Sequence, residues 1–188
     1  MGSSVDKVPD FTSDGVLPAG TYELTVDELQ ESKLVLGPKV PREIPNWDAA
    51  WRSQLVKNAR VLVRQLFQVG ITEVYLNGSF VEDKGHPNDI DGYFQCDLKQ
   101  ITSGDLVREL NLLDPYHIWT WSSSSRRPFP GSTKKQLPMW HQYRVELYPH
   151  YGQLCGIPDE HGNELEFPSA FRRSRRNGKP KGIVKILQ

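Results

Sequence analysis

The sequence predicts an α+β domain in which a mixed β-sheet is flanked by helices. Two kinds of pattern alternate along the 188 residues. Apolar side chains recur at helical spacing over residues 47–69 and 103–113. Short apolar or alternating runs, which are typical of strands, occupy 72–76, 88–96 and 183–187. Helices and strands that share one chain of this length are expected to enclose a single core.

The composition favours a soluble, cytoplasmic protein with one folded domain. Residues 1–16 are polar and are predicted to form a flexible N-terminus, and residues 17–188 are predicted to form the domain. No apolar run is long enough to span a membrane, and no signal peptide is visible. The two cysteines, Cys96 and Cys155, lack metal-ligand spacing and indicate neither a disulfide framework nor a zinc site. Because no apolar run of that length is present, a membrane is not expected as a partner.

The first half of the domain is predicted to contain one short and one long helix. Thr25 and Glu28 form a capping-box pattern at the start of the short helix. The long helix covers residues 47–69. Its Trp47 and Trp51 are interpreted as core residues, and a pair that stacks on nucleic-acid bases is the alternative. An extended connection between the two helices is predicted from three prolines: Pro38, Pro41 and Pro45.

The second half is predicted to alternate between helices and strands. After the helix over 103–113, residues 116–121 alternate like a strand, and a further strand is predicted within 139–149. Residues 122–138 form a loop rich in Ser, Pro and Gly. A loop of this length is usually either functional or disordered.

A cluster of chemistry-bearing residues follows the strand over 72–76. The strand leads into Gly78-Ser79, and a polar loop then reaches Asp89-Ile90-Asp91. Successive side chains of an extended chain point to opposite faces, so Asp89 and Asp91 share one face. Two ionised carboxylates at this spacing repel each other unless a cation joins them. Since Mg²⁺ is commonly held by one or two carboxylates plus phosphate oxygens, the pattern predicts a site for Mg²⁺ or Mn²⁺.

These motifs resemble the active-site signature of the nucleotidyltransferase superfamily that includes DNA polymerase beta. Within it, the chain is most similar to a small group of bacterial and phage proteins. The shared motifs are Gly78 to Val81, Pro87 to Asp91 and Lys181 to Ile183. The resemblance runs from about Leu17 to the C-terminus and implies a minimal nucleotidyltransferase fold, related to the palm of polymerase beta.

The resemblance also implies a role for each site residue. Asp89, Asp91 and Glu146 are the implied catalytic and metal-binding acids. Glu146 is flanked by apolar neighbours in a strand pattern and is therefore expected on the polar face, although the superfamily more often has Asp at this point. The alternative interpretation is an ordinary exposed strand glutamate. The implied nucleotide-binding residues are Gly78, Ser79 and Lys84, the last being the nearest cation where the superfamily often has an arginine.

Charge is distributed unevenly along the chain although the formal net charge is +0. Residues 1–122 carry 11 Lys and Arg against 18 Asp and Glu, whereas residues 123–188 carry 12 against 5. This asymmetry suggests that the C-terminal third contacts an anion, either nucleic acid or triphosphate. The alternative is that the two parts neutralise each other, with a solvated basic loop. The candidate anion contacts are Arg172, Arg173, Arg175, Arg176, Lys179 and Lys181.

The residues and the resemblance together predict a metal-dependent nucleotidyltransferase that uses an NTP and transfers NMP to a hydroxyl of an RNA, including tRNA, or of a protein. Small stand-alone proteins of this kind resemble toxins or phage-defence components, so a cognate antitoxin is a further expected partner. A catalytically silent module of the same fold, which binds nucleic acid or a partner protein, is the alternative. An antibiotic-modifying transferase is disfavoured because its acceptor pocket should be acidic and the loops here are basic.

Overall fold

A computed structural model describes residues 7–38, 44 and 46–188 of the chain. Helices and strands alternate along these residues. The α-helices with bounds in this part are α1 (Val26–Gln30), α2 (Lys33–Leu36), α3 (Ala49–Gln68), α4 (Leu98–Thr102), α5 (Asp105–Leu113), α6 (Pro138–Tyr143) and α7 (Phe167–Phe171). The strands are β1 (Thr21–Thr25), β2 (Val74–Asn77), β3 (Ile90–Gln95), β4 (Arg127–Pro128), β5 (Lys135–Gln136), β6 (Val145–His150), β7 (Leu154–Pro158), β8 (Glu164–Glu166) and β9 (Ile183–Leu187).

Five of the strands form one mixed sheet in the order β1-β9-β2-β3-β6. β1 is parallel to β9 and β3 is parallel to β6, whereas β2 is antiparallel to both of its neighbours. The predicted α+β class with a mixed sheet is therefore confirmed. The C-terminal strand β9 lies inside the sheet, and its Ile183, Val184 and Ile186 are buried for that reason. The remaining strands form two hairpins, β4–β5 and β7–β8.

Both faces of the sheet are covered by apolar side chains. On one face, buried residues of α3 such as Leu62 join strand residues such as Leu76 and Val184 in the main core. On the other, a smaller cluster contains Tyr93 of β3 and Phe171 of α7. Alternate strand residues thus reach opposite layers, as the period of a strand requires.

The predicted helices of the first half are present, with one interruption. The capping box is formed: the Glu28 N–H donates to Thr25 Oγ1 at 3.1 Å, and the Thr25 N–H donates to Glu28 Oε2 at 2.9 Å. The helix ends after Gln30, and a second short helix begins after Ser32, whose hydroxyl donates to the Leu29 carbonyl. Of the prolines that were expected in the connection, Pro41 and Pro45 lie outside the described residues.

The expectation of a strand over residues 116–121 is wrong. In this segment the side chain of Asn111, rather than a neighbouring strand, bonds the backbone of Trp119 through its N–H and its carbonyl, each at 2.9 Å. His117 has a positive φ of 50°, which interrupts an extended run. The strand predicted within 139–149, with its core at Tyr143 to Tyr148, is present but begins two residues later, as Val145–His150.

A helix replaces the first part of that predicted strand. Pro138 lies at the start of α6, where its fixed φ favours a helix, and Arg144 ends α6 in the left-handed region. The strand β6 begins only after Arg144.

The N-terminal expectation differs from the structure over residues 7–16. Val8 and Val16 are buried, and Val16 forms an isolated β-bridge with Glu82. These apolar side chains lie among polar neighbours, which is why composition alone indicated a flexible segment.

None of the helices in the described part of the chain is long and apolar enough to cross a membrane.

A buried arginine fixes the segment that follows the Gly78-Ser79 turn. Arg52 of α3 has no exposed surface, and its guanidinium stacks 3.8 Å from the centre of the Trp47 ring. Its two terminal nitrogens donate hydrogen bonds of 2.6–3.1 Å to four backbone carbonyls. The acceptors are the carbonyls of Leu34, Phe80, Glu82 and Lys84. The chain from Phe80 to Lys84 is thereby held to the long helix.

Candidate active site

The Gly78-Ser79 turn lies directly beside Asp91. Gly78 has a φ of 78°, and a Cβ at this position would lie 2.6 Å from Asp91 Oδ2, so only glycine fits. Asn77 pins the turn: its side chain accepts from the Gly78 N–H at 2.7 Å and donates to the Gly182 carbonyl at 2.9 Å. A 3₁₀-helix, Gly78–Val81, follows. The predicted turn and Asp91, one of the three predicted acids, therefore lie next to each other.

Parallel pairing of β3 with β6 brings the second acid to the same place. Asp91 and Glu146 are register partners in these adjacent strands. Side chains of register partners lie on the same face of a sheet, and neighbouring strands are about 4.8 Å apart. The two carboxylates, 55 residues apart in sequence, are thus neighbours in space.

The electrostatics of Asp91 reflect this crowding. The pKa of Asp91 is raised to about 7, first by burial and then by the negative charges of Asp89 and Glu146, whereas Arg175 and Lys134 act in the opposite direction. All three predicted acids therefore lie close enough to influence one proton. A cluster that stabilises the protonated form at neutral pH is one in which a cation would be favourable.

Glu146 is more buried than its predicted role suggests, with only 5% of its surface exposed. Its Oε1 accepts from the Leu137 N–H at 2.8 Å and lies 3.6 Å from the Arg126 guanidinium, and its Oε2 accepts from the Tyr148 hydroxyl at 2.5 Å. The expectation of a polar strand face is met only in the sense that polar groups surround the carboxylate. The exposed-glutamate alternative does not describe it.

Asp89 is also held by a side chain that the sequence did not indicate. The indole N–H of Trp140 donates to Asp89 Oδ2 at 2.7 Å. Trp140 lies on α6, and its ring contacts the ring of Phe129, with a centroid distance of 4.7 Å. One oxygen of Asp89 is therefore committed to the protein.

A cavity of about 190 Å³ opens beside Asp91, and we refer to it as the inner cavity. One part of it is polar and cationic, and another is apolar. Its lining residues are Asn77, Gly78, Ser79, Glu82, Asp91, Ile157, Ala170, Phe171, Arg173, Arg175 and Lys181. The predicted nucleotide-binding Gly78 and Ser79 thus share a cavity with Asp91 and with three cations of the predicted basic loop.

A larger groove of about 600 Å³ adjoins the inner cavity, and we refer to it as the outer groove. It lies between the β7–β8 hairpin and the basic loop, residues 172–181. The two spaces share the lining residues Ile157, Ala170, Arg173 and Arg175. A molecule in the outer groove therefore has a short path to Asp91.

The six candidate anion contacts separate into two groups. Arg173, Arg175 and Lys181 line the inner cavity, but Arg173 pairs with Glu160, and buried Lys181 donates to Glu82 at 2.9 Å and to the Gly78 carbonyl at 3.0 Å. Arg175 forms no ion pair with another residue of the described ranges. It is therefore the cation of this loop most available to an anionic ligand.

The other three cations of the basic loop are engaged elsewhere. Arg172 donates to the Gly20 carbonyl and to Thr21, Arg176 pairs with Asp83 and Glu82, and Lys179 pairs with Asp14. Acids of the N-terminal part thus neutralise several cations of the C-terminal part, which the second interpretation of the charge asymmetry predicted.

Lys84 does not share the inner cavity with Gly78 and Ser79. Its side chain is exposed, and its carbonyl accepts from Arg52 at 2.6 Å. Closeness in sequence to the Gly78 turn made it the candidate cation, but the chain after the turn runs back to α3. Arg175 and Lys181, which follow almost 100 residues later, lie nearer to Asp91 because β9 is next to β2.

The acids suit a hard cation in their chemistry more than in their present arrangement. Carboxylate oxygens are the preferred ligands of Mg²⁺ and Mn²⁺, and the crowding around Asp91 would be relieved by a positive charge. However, no group of three or more His, Cys, Asp and Glu side chains in the described ranges is arranged as a metal-ligand set. Protein donors on Asp89 and Glu146 also bond carboxylate oxygens that a cation would use.

Several residues of the site were missed by sequence reasoning. Tyr148, Trp140 and Arg126 contact the acids from residues that carry no motif. Tyr148 could have been found from the sequence, because it lies two residues after Glu146 and therefore on the same face of the strand. No local pattern indicates that Trp140 lies over Asp89, since that contact depends on α6 replacing a predicted strand.

Comparison with protein families gives one match that covers nearly the whole chain. A model described as a family of unknown function, DUF6932, matches residues 9–187. The chain belongs to this family. The matched span includes the five-stranded sheet, the acids and the basic loop. Neither a curated protein nor a solved structure matches the chain.

Proposed function

We propose that this DUF6932 protein is a metal-dependent nucleotidyltransferase with a minimal polymerase beta-like fold. The observation that carries the proposal is the meeting of Asp91 and Glu146, on adjacent strands, with a glycine turn packed against the Asp91 carboxylate. Asp89 adds a third negative charge that acts on Asp91. Acids that crowd together beside a backbone turn suit the transfer of a phosphoryl-containing group.

The three acids, the turn and the basic loop have separate roles in this proposal. Asp89, Asp91 and Glu146 would hold Mg²⁺ or Mn²⁺, which when bound neutralises charge on the attacking and leaving oxygens. The turn at Gly78 lets the phosphates approach the backbone, and Ser79 offers a hydroxyl and an N–H. Arg175 supplies a cation for the phosphates in place of Lys84.

The proposed reaction is an in-line displacement at the α-phosphorus of an NTP. A bond forms between the acceptor hydroxyl oxygen and the α-phosphorus, and the bond from that phosphorus to the bridging oxygen breaks, so that pyrophosphate leaves with the electron pair. The acceptor proton passes to solvent or to a carboxylate of the site. The protein's contribution is to orient the reactants and to stabilise charge that develops on the phosphate oxygens.

The outer groove is the proposed approach of the acceptor. It is about three times the volume of the inner cavity and meets it at Arg173 and Arg175. RNA and protein both carry hydroxyls that fit the reaction, so the acceptor class is an outcome of the assay below.

One observation favours the silent binding module as a second candidate. The donors on Glu146 satisfy both of its oxygens without a cation. In a module without activity, the same acids would have a structural role and the basic loop would hold the partner.

Transfer of label from NTPs distinguishes the two candidates. The protein is incubated with Mg²⁺ or Mn²⁺, a cell extract and each NTP labelled at either the α- or the γ-phosphate. A nucleotidyltransferase labels RNA or protein from the α-position only, whereas a kinase labels from the γ-position. Labelling by the double variant Asp89→Ala with Asp91→Ala at the wild-type rate would contradict the assignment of the acids.

A further inference from the structure

The β4–β5 hairpin, residues 126–137, contacts Glu146 from both of its ends. Arg126 precedes β4, and its guanidinium lies 3.6 Å from Glu146 Oε1. Leu137 follows β5, and its backbone N–H donates to the same oxygen at 2.8 Å. The two ends of the hairpin therefore converge on one buried carboxylate oxygen.

The hydroxyl of Tyr148 completes this arrangement. It donates to Glu146 Oε2 and accepts from Arg126 Nη2 at 2.9 Å. Arg126, Tyr148 and Glu146 thus form a closed triangle of contacts. The positive charge of Arg126 compensates a carboxylate that is only 5% exposed, which would otherwise be costly to keep ionised.

The same hairpin is connected to the other two acids. Phe129 contacts the ring of Trp140, whose indole N–H donates to Asp89. The positive charge of Lys134 lowers the pKa of Asp91. Each of the three acids is therefore influenced by this hairpin, through a contact with its ends, through an aromatic neighbour or through a charge.

We infer that Arg126 is a positioning residue that holds Glu146 in the absence of a divalent cation and competes with that cation for the carboxylate. This inference rests on the proposed function. Oε1 also accepts from the Leu137 N–H, so a cation that binds this oxygen takes the place of Arg126, and the β4–β5 hairpin that carries Arg126 loosens when it does. Metal binding and hairpin mobility are then coupled, since both depend on the same oxygen.

Mn²⁺ binding measured by calorimetry tests the competition without any assay of activity. Loss of a competing ion pair should tighten binding, so Arg126→Ala is expected to bind Mn²⁺ about fivefold more tightly than wild type, which corresponds to roughly 1 kcal/mol. Arg126→Lys keeps the charge and is expected to remain within about twofold of wild type. Arg127→Ala removes the exposed neighbouring arginine and is the matched control, with unchanged binding.

Amide hydrogen exchange of residues 127–136 provides a second readout. Exchange is expected to be faster in wild type with saturating Mn²⁺ than without it, because Arg126 has released Glu146. In Arg126→Ala the exchange should already be fast without Mn²⁺ and should change little when Mn²⁺ is added.

The Asp91→Asn variant separates failure of this inference from failure of the proposed function. If Asp91→Asn abolishes Mn²⁺ binding while Arg126→Ala binds no more tightly than wild type, the role of Arg126 is overturned and the metal site is retained. If Asp91→Asn binds Mn²⁺ as wild type does, the proposed metal site fails. Absence of Mn²⁺ binding in wild type and Arg126→Ala alike overturns both.

Discussion

Arg52 and Asp91 are charged residues that contact the same short segment from different sides. Asp91 lies beside Gly78, where the segment begins, and Arg52 bonds the backbone between Phe80 and Lys84. The surroundings of the two charges differ sharply. The guanidinium of Arg52 donates to four backbone carbonyls, which offset much of the cost of its burial, although burial still lowers its pKa to about 9. Asp91 lies among like charges, and burial together with the charges of Asp89 and Glu146 raises its pKa to about 7. A compensated buried charge stabilises a fold, whereas a crowd of like charges is retained at a cost in stability.

Arg52 has a structural role, whereas the acids around Asp91 are the proposed site of the reaction. Arg52 holds the chain from Phe80 to Lys84 against α3, so the turn at Gly78 has a fixed support. The acids next to that turn then remain in a strained electrostatic state. Sites that give up stability in this way are frequently functional, because the ligand supplies the missing charge.

Removal of the Arg52 guanidinium should have the largest effect on stability. Arg52→Met leaves four carbonyls without their donor, and we expect the free energy of unfolding to fall by at least about 3 kcal/mol. Urea denaturation measures this change. The matched control is Arg60→Met on the same helix, which removes a surface ion pair with Asp27 and should cost less than about 1 kcal/mol. Equal effects of the two substitutions would contradict the structural role of Arg52.

Neutralisation of Asp91 should have the opposite sign. The folded-state pKa of about 7 lies above the ordinary value of 3.8, so the folded state binds the proton more tightly and wild-type stability falls as pH rises between these values. Asp91→Asn removes the repulsion and should therefore raise the free energy of unfolding by about 2 kcal/mol at pH 8 in EDTA.

The pH dependence of this gain is its internal control. At pH 4 the Asp91 carboxyl is protonated in the folded state, and the difference between wild type and Asp91→Asn should nearly vanish. Thermal unfolding over pH 4–8 records the trend. A variant that is less stable than wild type at pH 8 would mean that the acids are not in conflict.

The smallest expected effects concern the two cations that were considered as contacts of the NTP phosphates. Arg175→Ala should raise the KM for the NTP about tenfold, because a cation that lines the inner cavity is lost. Lys84→Ala changes an exposed side chain outside that cavity and should alter the KM less than about twofold. Steady-state kinetics with the labelled NTP compares the two. A larger effect at Lys84 would restore the assignment made from sequence position.

The parts of the fold that sequence predicted are those with local causes. The periodicity of α3, the alternation of β9 and the capping box at Thr25 depend on residues within a few positions of each other. Residues 116–121 were mistaken for a strand because the bonds to Trp119 come from the side chain of Asn111. The β1 strand was missed because its pairing depends on β9, more than 150 residues away.

The candidate site divides in the same way. Gly78, Ser79, Asp89 and Asp91 follow one another closely, and the sequence placed them together. The partners of the acids come from distant elements: Trp140 from α6 and Arg126 from the β4–β5 hairpin.

The rate of α-label transfer by Asp91→Asn, compared with that of wild type, is the most direct test of whether the cluster of acids carries out the transfer. Both proteins should be folded under the assay conditions, since the variant is expected to be the more stable of the two even in EDTA. We predict that wild type transfers label and that Asp91→Asn is at least about 10³-fold slower, because the acid at the centre of the cluster is gone. Transfer by the variant within about twofold of the wild-type rate would contradict the account.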